Sequence, residues 1–375
     1  MSKSNTGRMQ KMWEVLKFPL LAIAMSFFVG SLFIIWTGNN PLVAYGALLD
    51  GSLGAMNKFG ETLLKTTPLI FTGLSVAFAF RTGLFNIGGE GQYFMGALFT
   101  ISAAWIFQGL PGFILIPIMM IAGAVGGAIW AFIPGFLKAK LGIHEVIVCI
   151  MLNYAAMFFT AFIVRTALNP STLLGHEQKA HSVVLNDFAQ QAKLTQLNEI
   201  APIFGTSSVH TGLFIAIVSA IVAYYLLFKT TLGYEIRSVG NNPTGAEYGG
   251  INISKNVIMS MMISGLFAGL AGATTVAGLT YKLDQPAGFS GYGFTGIAVS
   301  LVGNNHPLGV VASAFLFGVL ANGSRKMQIA GIPKEIVSIV QALIIIFIAA
   351  EAILKYWPTW KEKLFGKKNK AKEAA

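Results

Sequence analysis

Residues 83–96 read GLFNIGGEGQYFMG. One carboxylate, Glu90, stands with the amides Asn86 and Gln92 among glycines at 83, 88, 89, 91 and 96, between stretches apolar enough to lie in a membrane. Asn and Gln each carry donors and acceptors, and an ionised Glu carries acceptors alone, so the three could bind a polar solute. Glycine loosens helices, and broken backbone at membrane depth is tolerated only where protein buries it or where it lines a polar cavity. If 81–91 is instead a turn at the membrane surface, Glu90 caps the helix that follows, where the dipole favours an anion. Both readings of Glu90 stay open. A fourth polar group, Asn153, lies within VIVCIMLNYAAMFF. An unpartnered amide there would cost a few kcal/mol, so Asn153 either bonds a neighbouring helix or faces the path of a solute.

Other chemistry is scarce. The single cysteine, Cys149, lies in an apolar run and reads as a small buried residue, so no disulfide or metal-thiolate site is expected. His144 and Glu145 are adjacent and therefore point along different faces, and Glu145 is expected to cap the helix it opens. The loop histidines lack metal spacing and read as surface residues. Nothing assembles a nucleophile and base or a metal centre, so the chain is not expected to be an enzyme or to carry a metal. It has no G-x-x-x-x-G-K-[ST] phosphate loop, so no cofactor is expected in this chain and any ATP must be used by a partner. GYGFTG (291–296) matches G-x-G-x-x-G but has neither a preceding strand nor a βαβ context.

The elements that position these residues are membrane helices. The chain has 375 residues, 54% hydrophobic and 11% charged, with a mean hydropathy of +0.66. Uncharged runs at 18–38, 91–137, 146–164, 211–228, 256–281 and 307–324 are long enough to cross about 30 Å of hydrocarbon as helices, the second of them twice. The expected fold is an all-α polytopic membrane protein of about ten transmembrane helices in two glycine-interrupted halves. The spans fall near 18–37, 62–80, 92–108, 112–137, 145–165, 211–229, 256–280, 290–303, 307–322 and 335–355. The eighth, GFSGYGFTGIAVSLVG, is short and glycine-rich, and a half-helix or re-entrant segment is its rival reading. Gly265 and Gly269 form a GxxxG face for close packing.

The first span is too long for the apolar region of a cleavable signal peptide. The net charge of +11 collects in two basic tails, 1–17 and 356–375, as suits cytoplasmic segments facing anionic membrane lipid rather than nucleic acid. With both termini inside, the transmembrane domain is 18–355, with an outer loop at 166–210 and a cytoplasmic connection at 230–255. There Asn242 and Pro243 form a helix start, and Gly249-Gly250 a stop. The result is a two-turn helix too short to cross anything, suited to docking another protein. Asn304, Asn305 and His306 read as a turn before a helix opened by Pro307.

GYEIRSVGNNPTGAEYGGI (233–251) resembles the coupling segment of ABC-importer permeases of the branched-chain amino acid, simple sugar and nucleoside superfamily. GLFNIGGEGQYFMGA and GYGFTGIAVSLVGNNHPLGVV resemble the signatures of its two halves, and NIGGEGQ looks most like the nucleoside branch. The resemblance implies an ATPase pair, a second homologous permease subunit and an extracytoplasmic substrate-binding lipoprotein as partners. It implies coupling to the ATPase through the segment that carries Glu235, Arg237, Gly240, Asn242, Pro243, Ala246, Gly249 and Gly250, while Asn86, Glu90, Gln92 and Asn153 stay the candidates for a substrate path on their own chemistry. The same machine could carry simple sugars or branched-chain amino acids. An ion-coupled secondary transporter centred on Glu90 is the remaining rival.

Overall fold

The computed structural model describes residues 3–348 and 350, with side chains from residue 17 onward. The basic tail 356–375 and the end of the last expected span lie outside the described residues. Thirteen helices carry the argument: α1 (Lys3–Trp36), α2 (Pro41–Leu53), α3 (Met56–Phe80), α4 (Gly89–Ile106), α5 (Gly112–Leu141), α6 (Glu145–Arg165), α7 (Gly212–Lys229), α8 (Thr231–Asn241), α9 (Pro243–Tyr248), α10 (Ile253–Thr275), α11 (Tyr292–Val302), α12 (Pro307–Ile329) and α13 (Glu335–Ile348). Among the described residues there are no strands, only two isolated bridges, His181 with Asp284 and Gln196 with His210.

Among the described residues, seven helices are long and apolar enough to span a membrane: those containing Lys17–Trp36, Met56–Phe80, Gly112–Leu141, Glu145–Leu173, Gly212–Lys229, Ile253–Thr280 and Pro307–Ile329. The segments expected at 92–108, 290–303 and 335–355 are α4, α11 and α13, which fall short of that standard. Helix α4 opens on Gly-Glu-Gly-Gln, and α11 has 11 residues. At 1.5 Å per residue α11 is about 16 Å long, half a membrane. That length is the one a half-helix reading of the eighth expected span calls for. Helices α2 and α8 are additions to the elements expected from sequence.

The chain packs as two units. In the smaller (Met1–Ala47 with Ser324–Ala375), the Tyr45 hydroxyl donates to the Phe27 carbonyl at 2.7 Å and its ring packs edge-on against Phe27. Gly30 leaves room for Val340 and Tyr45. In the larger (Leu48–Gly323), α3 is enclosed, with every residue from Thr66 to Ala79 buried. Helix α10 lies against α5 and α4 along Gly265, Gly269 and Gly272. A Cβ on Gly265 or Gly269 would collide with the backbone of α5, and one on Gly272 with the Tyr93 carbonyl of α4. The GxxxG face is thus a real helix contact, and small residues are what let backbones approach so closely.

Local signals explain the boundaries. Helix α5 stops at Gly142, left-handed at φ 67°. The Asn242 side chain accepts from the Gly245 N–H with Pro243 at the first helical position, as the sequence suggests, and Gly250 follows α9 at φ 79°. Pro307 opens α12 after a turn in which Asn304 and Asn305 are left-handed. The outer loop is held at its ends and middle. The N–H of Leu194 donates to the Ala277 carbonyl, Ser182 bonds Leu283, and Gln196 reaches the Tyr281 hydroxyl. His210, at the loop's end, is buried, and its Nδ1 accepts from the Gly212 N–H at 3.1 Å.

Two outcomes follow. Gly127→Val would drive a side chain into the Gly265 carbonyl and should destabilise the protein by roughly 2 kcal/mol, whereas Gly109→Ala, with nothing within 4 Å, should be neutral; thermal unfolding in detergent reads both. Burial pushes the His210 imidazole down to about 4, while an unfolded histidine titrates near 6.5. Its stabilising share is therefore complete above about pH 6.5 and is lost as pH falls toward 4. His210→Asn, which keeps an acceptor without titrating, should flatten the melting-temperature profile across that window.

Candidate translocation and coupling site

Glu90 is fully buried in the first turn of α4, and its partners come from two hundred residues away. Oε1 accepts from the N–H groups of Gly293 (2.9 Å) and Phe294 (3.3 Å), and Oε2 from the N–H (3.1 Å) and hydroxyl (2.8 Å) of Ser290. Four donors and no acceptor face it, the pattern of an ionised carboxylate. These N–H groups open α11, where a helix leaves its first donors unpaired and presents partial positive charge. Glu90 therefore does cap a helix, but the helix is α11 rather than its own α4. Gly293 allows the contact, since a Cβ on it would run into the backbone of Glu90.

The other path candidates bond the backbone and helices beside it. Asn86 and Gln92 pair twice, Nδ2 to Oε1 at 2.9 Å and Nε2 to Oδ1 at 3.0 Å. Asn86 also donates to Ser264 on α10 and accepts from the Gly88 N–H. Asn153 on α6 accepts from the Gly91 N–H (2.8 Å) and donates to the Ile87 carbonyl (3.1 Å). Each holds the non-helical stretch 81–88 against a different helix. The structure thus brings all four together, each already bonded to protein.

Glu145 stands in the first turn of α6, where the dipole favours an anion, and it also pairs with Lys138 at 2.9 Å, joining the end of α5 to the start of α6. Its Oε1 accepts from the Phe85 N–H at 3.5 Å.

At the other end of α11, Arg81 donates from Nε to the Asn305 carbonyl at 2.9 Å and from Nη2 to Asn304 at 3.4 Å. The segment 81–90 thus grips α11 with an anion at its N-terminus and a cation beyond its C-terminus, both matched to the helix dipole. Arg81, Ser264 and Ser290 were not singled out from sequence. Ser290, one residue before the Gly-Tyr-Gly start of α11, was the detectable signal, since serine favours helix starts.

The coupling candidates sit on α8 and α9. Gly240 is seated on the Arg81 and Thr82 backbone so closely that any Cβ would strike the Arg81 carbonyl. Ala246 is the buried residue of α9 and packs with Leu84, Cys149, Val239, Val257 and Met261, with Ile87 alongside. Glu235 accepts from Asn256 at 2.9 Å, tying α8 to α10. The Arg237 guanidinium lies over the Phe228 ring, 5.2 Å from its centroid, and Arg81 is 5.6 Å from the same ring. His306 stacks on Phe228, and burial together with the Arg81 charge lowers its pKa. Asn242, Pro243, Gly249 and Gly250 shape α9 and are exposed.

A family model described as "Branched-chain amino acid transport system / permease component" matches residues 59–349, which include every site residue above. The chain belongs to that permease family. It is a multi-pass membrane protein, and a permease carries its solute without transforming it. Among curated proteins, this permease is 39% identical to the guanosine ABC transporter permease protein NupP of Bacillus subtilis, over 90% of this chain and 94% of that one. It is 38% identical to the nucleoside ABC transporter permease protein NupB of Lactococcus lactis, over 90% and 91%. The glucose ABC transporter permease protein TsgB13 of Haloferax volcanii is 30% identical over 92% and 89%. No solved structure matches.

If Glu90 acts as the α11 cap, Glu90→Ala strands the buried N–H of Gly293 and the part-buried N–H groups of Phe294 and Ser290 and should cost about 3 kcal/mol, with Glu90→Gln costing less. Thermal unfolding of the purified permease checks this. A residue that only contacted solute would leave the melting temperature unchanged in both variants.

Proposed function

We propose that this permease forms half of the translocation pathway of an ATP-driven importer and that its cargo is a nucleoside. The observation that carries the coupling reading is the placement of α9. It is exposed on all sides except Ala246, with Tyr248 92% exposed, and its buried residue shares one apolar cluster with Leu84 and Ile87 of the segment that holds α11. A partner ATPase pressing on α9 and α8 would move Gly240 and Ala246, and through Arg81 and the 81–90 segment the half-helix α11. Alternating access then needs no covalent chemistry in this chain.

In this reading the chain crosses the membrane ten times with both termini cytoplasmic. The extended stretch 284–291 and α11 together make the eighth crossing, and 81–88 with α4 the third. A second homologous permease completes the pathway, and an extracytoplasmic lipoprotein delivers the solute to the side that carries loop 166–210. The basic segment 1–17 and tail 356–375 face anionic lipid on the opposite side. The nucleoside cargo is favoured by the guanosine and nucleoside permeases among its relatives. The glucose permease relative keeps a sugar as the second reading.

Co-expression with an ATPase and sister permease, reconstitution into proteoliposomes and uptake of labelled guanosine and glucose test the proposal. ATP-dependent guanosine uptake is expected; glucose uptake alone would move the cargo to sugars, and uptake independent of ATP would remove the coupling reading. Gly240→Val and Tyr248→Ala should each cut guanosine uptake at least about tenfold without loss of membrane insertion. Normal uptake by both would exclude α8 and α9 as the contact.

A further inference from the structure

The polar atoms nearest the break in the helices are not free. Asn86, Glu90, Gln92 and Asn153 all bond protein groups, so a solute passing this point needs other contacts. The chain supplies a different surface beside them. Between the π turn that follows α10 and the start of α11, residues 281–291 leave helical structure, and Asp284, Gln285, Ala287, Gly288 and Ser290 are exposed. Helix α11 covers only about 16 Å from its start to the turn at 303–306, so its first residues lie near mid-membrane. Exposed irregular backbone at that depth cannot face lipid, because hydrocarbon offers its N–H and C=O groups no partner. This face therefore looks onto water or another protein.

Three aromatic rings stand on that face. Tyr154, next to Asn153 on α6, meets Phe289 edge-to-face with centroids 4.9 Å apart, and Phe289 meets Phe294 in the same way at 5.6 Å. Tyr154 and Phe294 remain 46% and 41% exposed. Phe289 and Phe294 flank Ser290 and Gly293, the groups that Glu90 holds, so the rings are fixed to the capped end of α11. Rings held by such a network give flat apolar surface at low entropic cost, with the Ser290 hydroxyl beside them for a polar substituent.

We propose that Tyr154, Phe289 and Phe294 form a stacking subsite for the planar base of the transported nucleoside; this rests on the nucleoside reading above. A base has a π-face whatever its hydrogen-bonding edge, so stacking accepts several nucleosides and favours purines for their larger area. Because the rings travel with the start of α11, movement of that half-helix changes the subsite as the pathway opens.

The test uses the assembled transporter in proteoliposomes, with guanosine and uridine as probes. Phe289→Leu and Phe294→Leu should each reduce guanosine uptake about tenfold, reduce uridine uptake less, and leave the melting temperature and ATP hydrolysis without solute close to those of the parent. Phe294→Trp should restore guanosine uptake. Tyr154→Leu, on an exposed helix face, serves if either phenylalanine variant fails to fold. Equal losses for both nucleosides, or none, would overturn the subsite. A parent transporter that carries glucose but neither nucleoside would instead overturn the functional reading, and the subsite with it.

Discussion

The structure turns on one buried carboxylate. An ion inside a membrane protein is costly unless its partners replace water fully, and Glu90 meets that condition with the unpaired N–H groups at the start of α11. The same contact solves the converse problem. The first N–H groups of α11 have no partner within their own helix, and a carboxylate from another element satisfies them. Neither half of the arrangement is stable without the other, which is why the acidic residue and the glycines occur together.

The glycines follow from the geometry this contact requires. Glu90 reaches α11 only because Gly293 carries no side chain, and α4 lies beside α10 only because Gly96, Gly269 and Gly272 carry none. Helix α5 enters the same arrangement through Gly123 and Gly127. In hydrocarbon such close packing is a main source of attraction between helices. It also transmits displacement: Gly240 rests on the Arg81 backbone, so α8 cannot shift without moving the segment that grips α11. Signal and structure share one set of contacts.

Features set by neighbouring residues were legible in the sequence. Asn242-Pro243 capped α9 as its pattern implies, Pro307 opened α12, and the GxxxG of α10 became a packing face. The polar candidates Asn86, Glu90, Gln92 and Asn153 were also found, because a charge or amide in an apolar run is conspicuous. Their partners were not legible. Glu90 bonds residues two hundred positions away, Asn86 a serine on α10, and Arg81 two backbone carbonyls, none of which leaves a local pattern. Helix α8 was missed because its polar face against a short apolar stripe reads as a loop, and α2 because 13 residues are too few for a span. Glu145 opens α6 as the dipole rule implies, but the lysine that the preceding turn brings within reach was not legible.

The central claim is that the Glu90 carboxylate holds the first N–H groups of α11. Amide hydrogen exchange across residues 288–296 of the reconstituted permease measures this directly, comparing the parent with Glu90→Ala. The account predicts slow exchange at Gly293 and Phe294 in the parent, and at least about tenfold faster exchange there in the variant, with peptides from α5 unchanged. Equal exchange in the two proteins would mean that α11 is held by something else and would contradict the account.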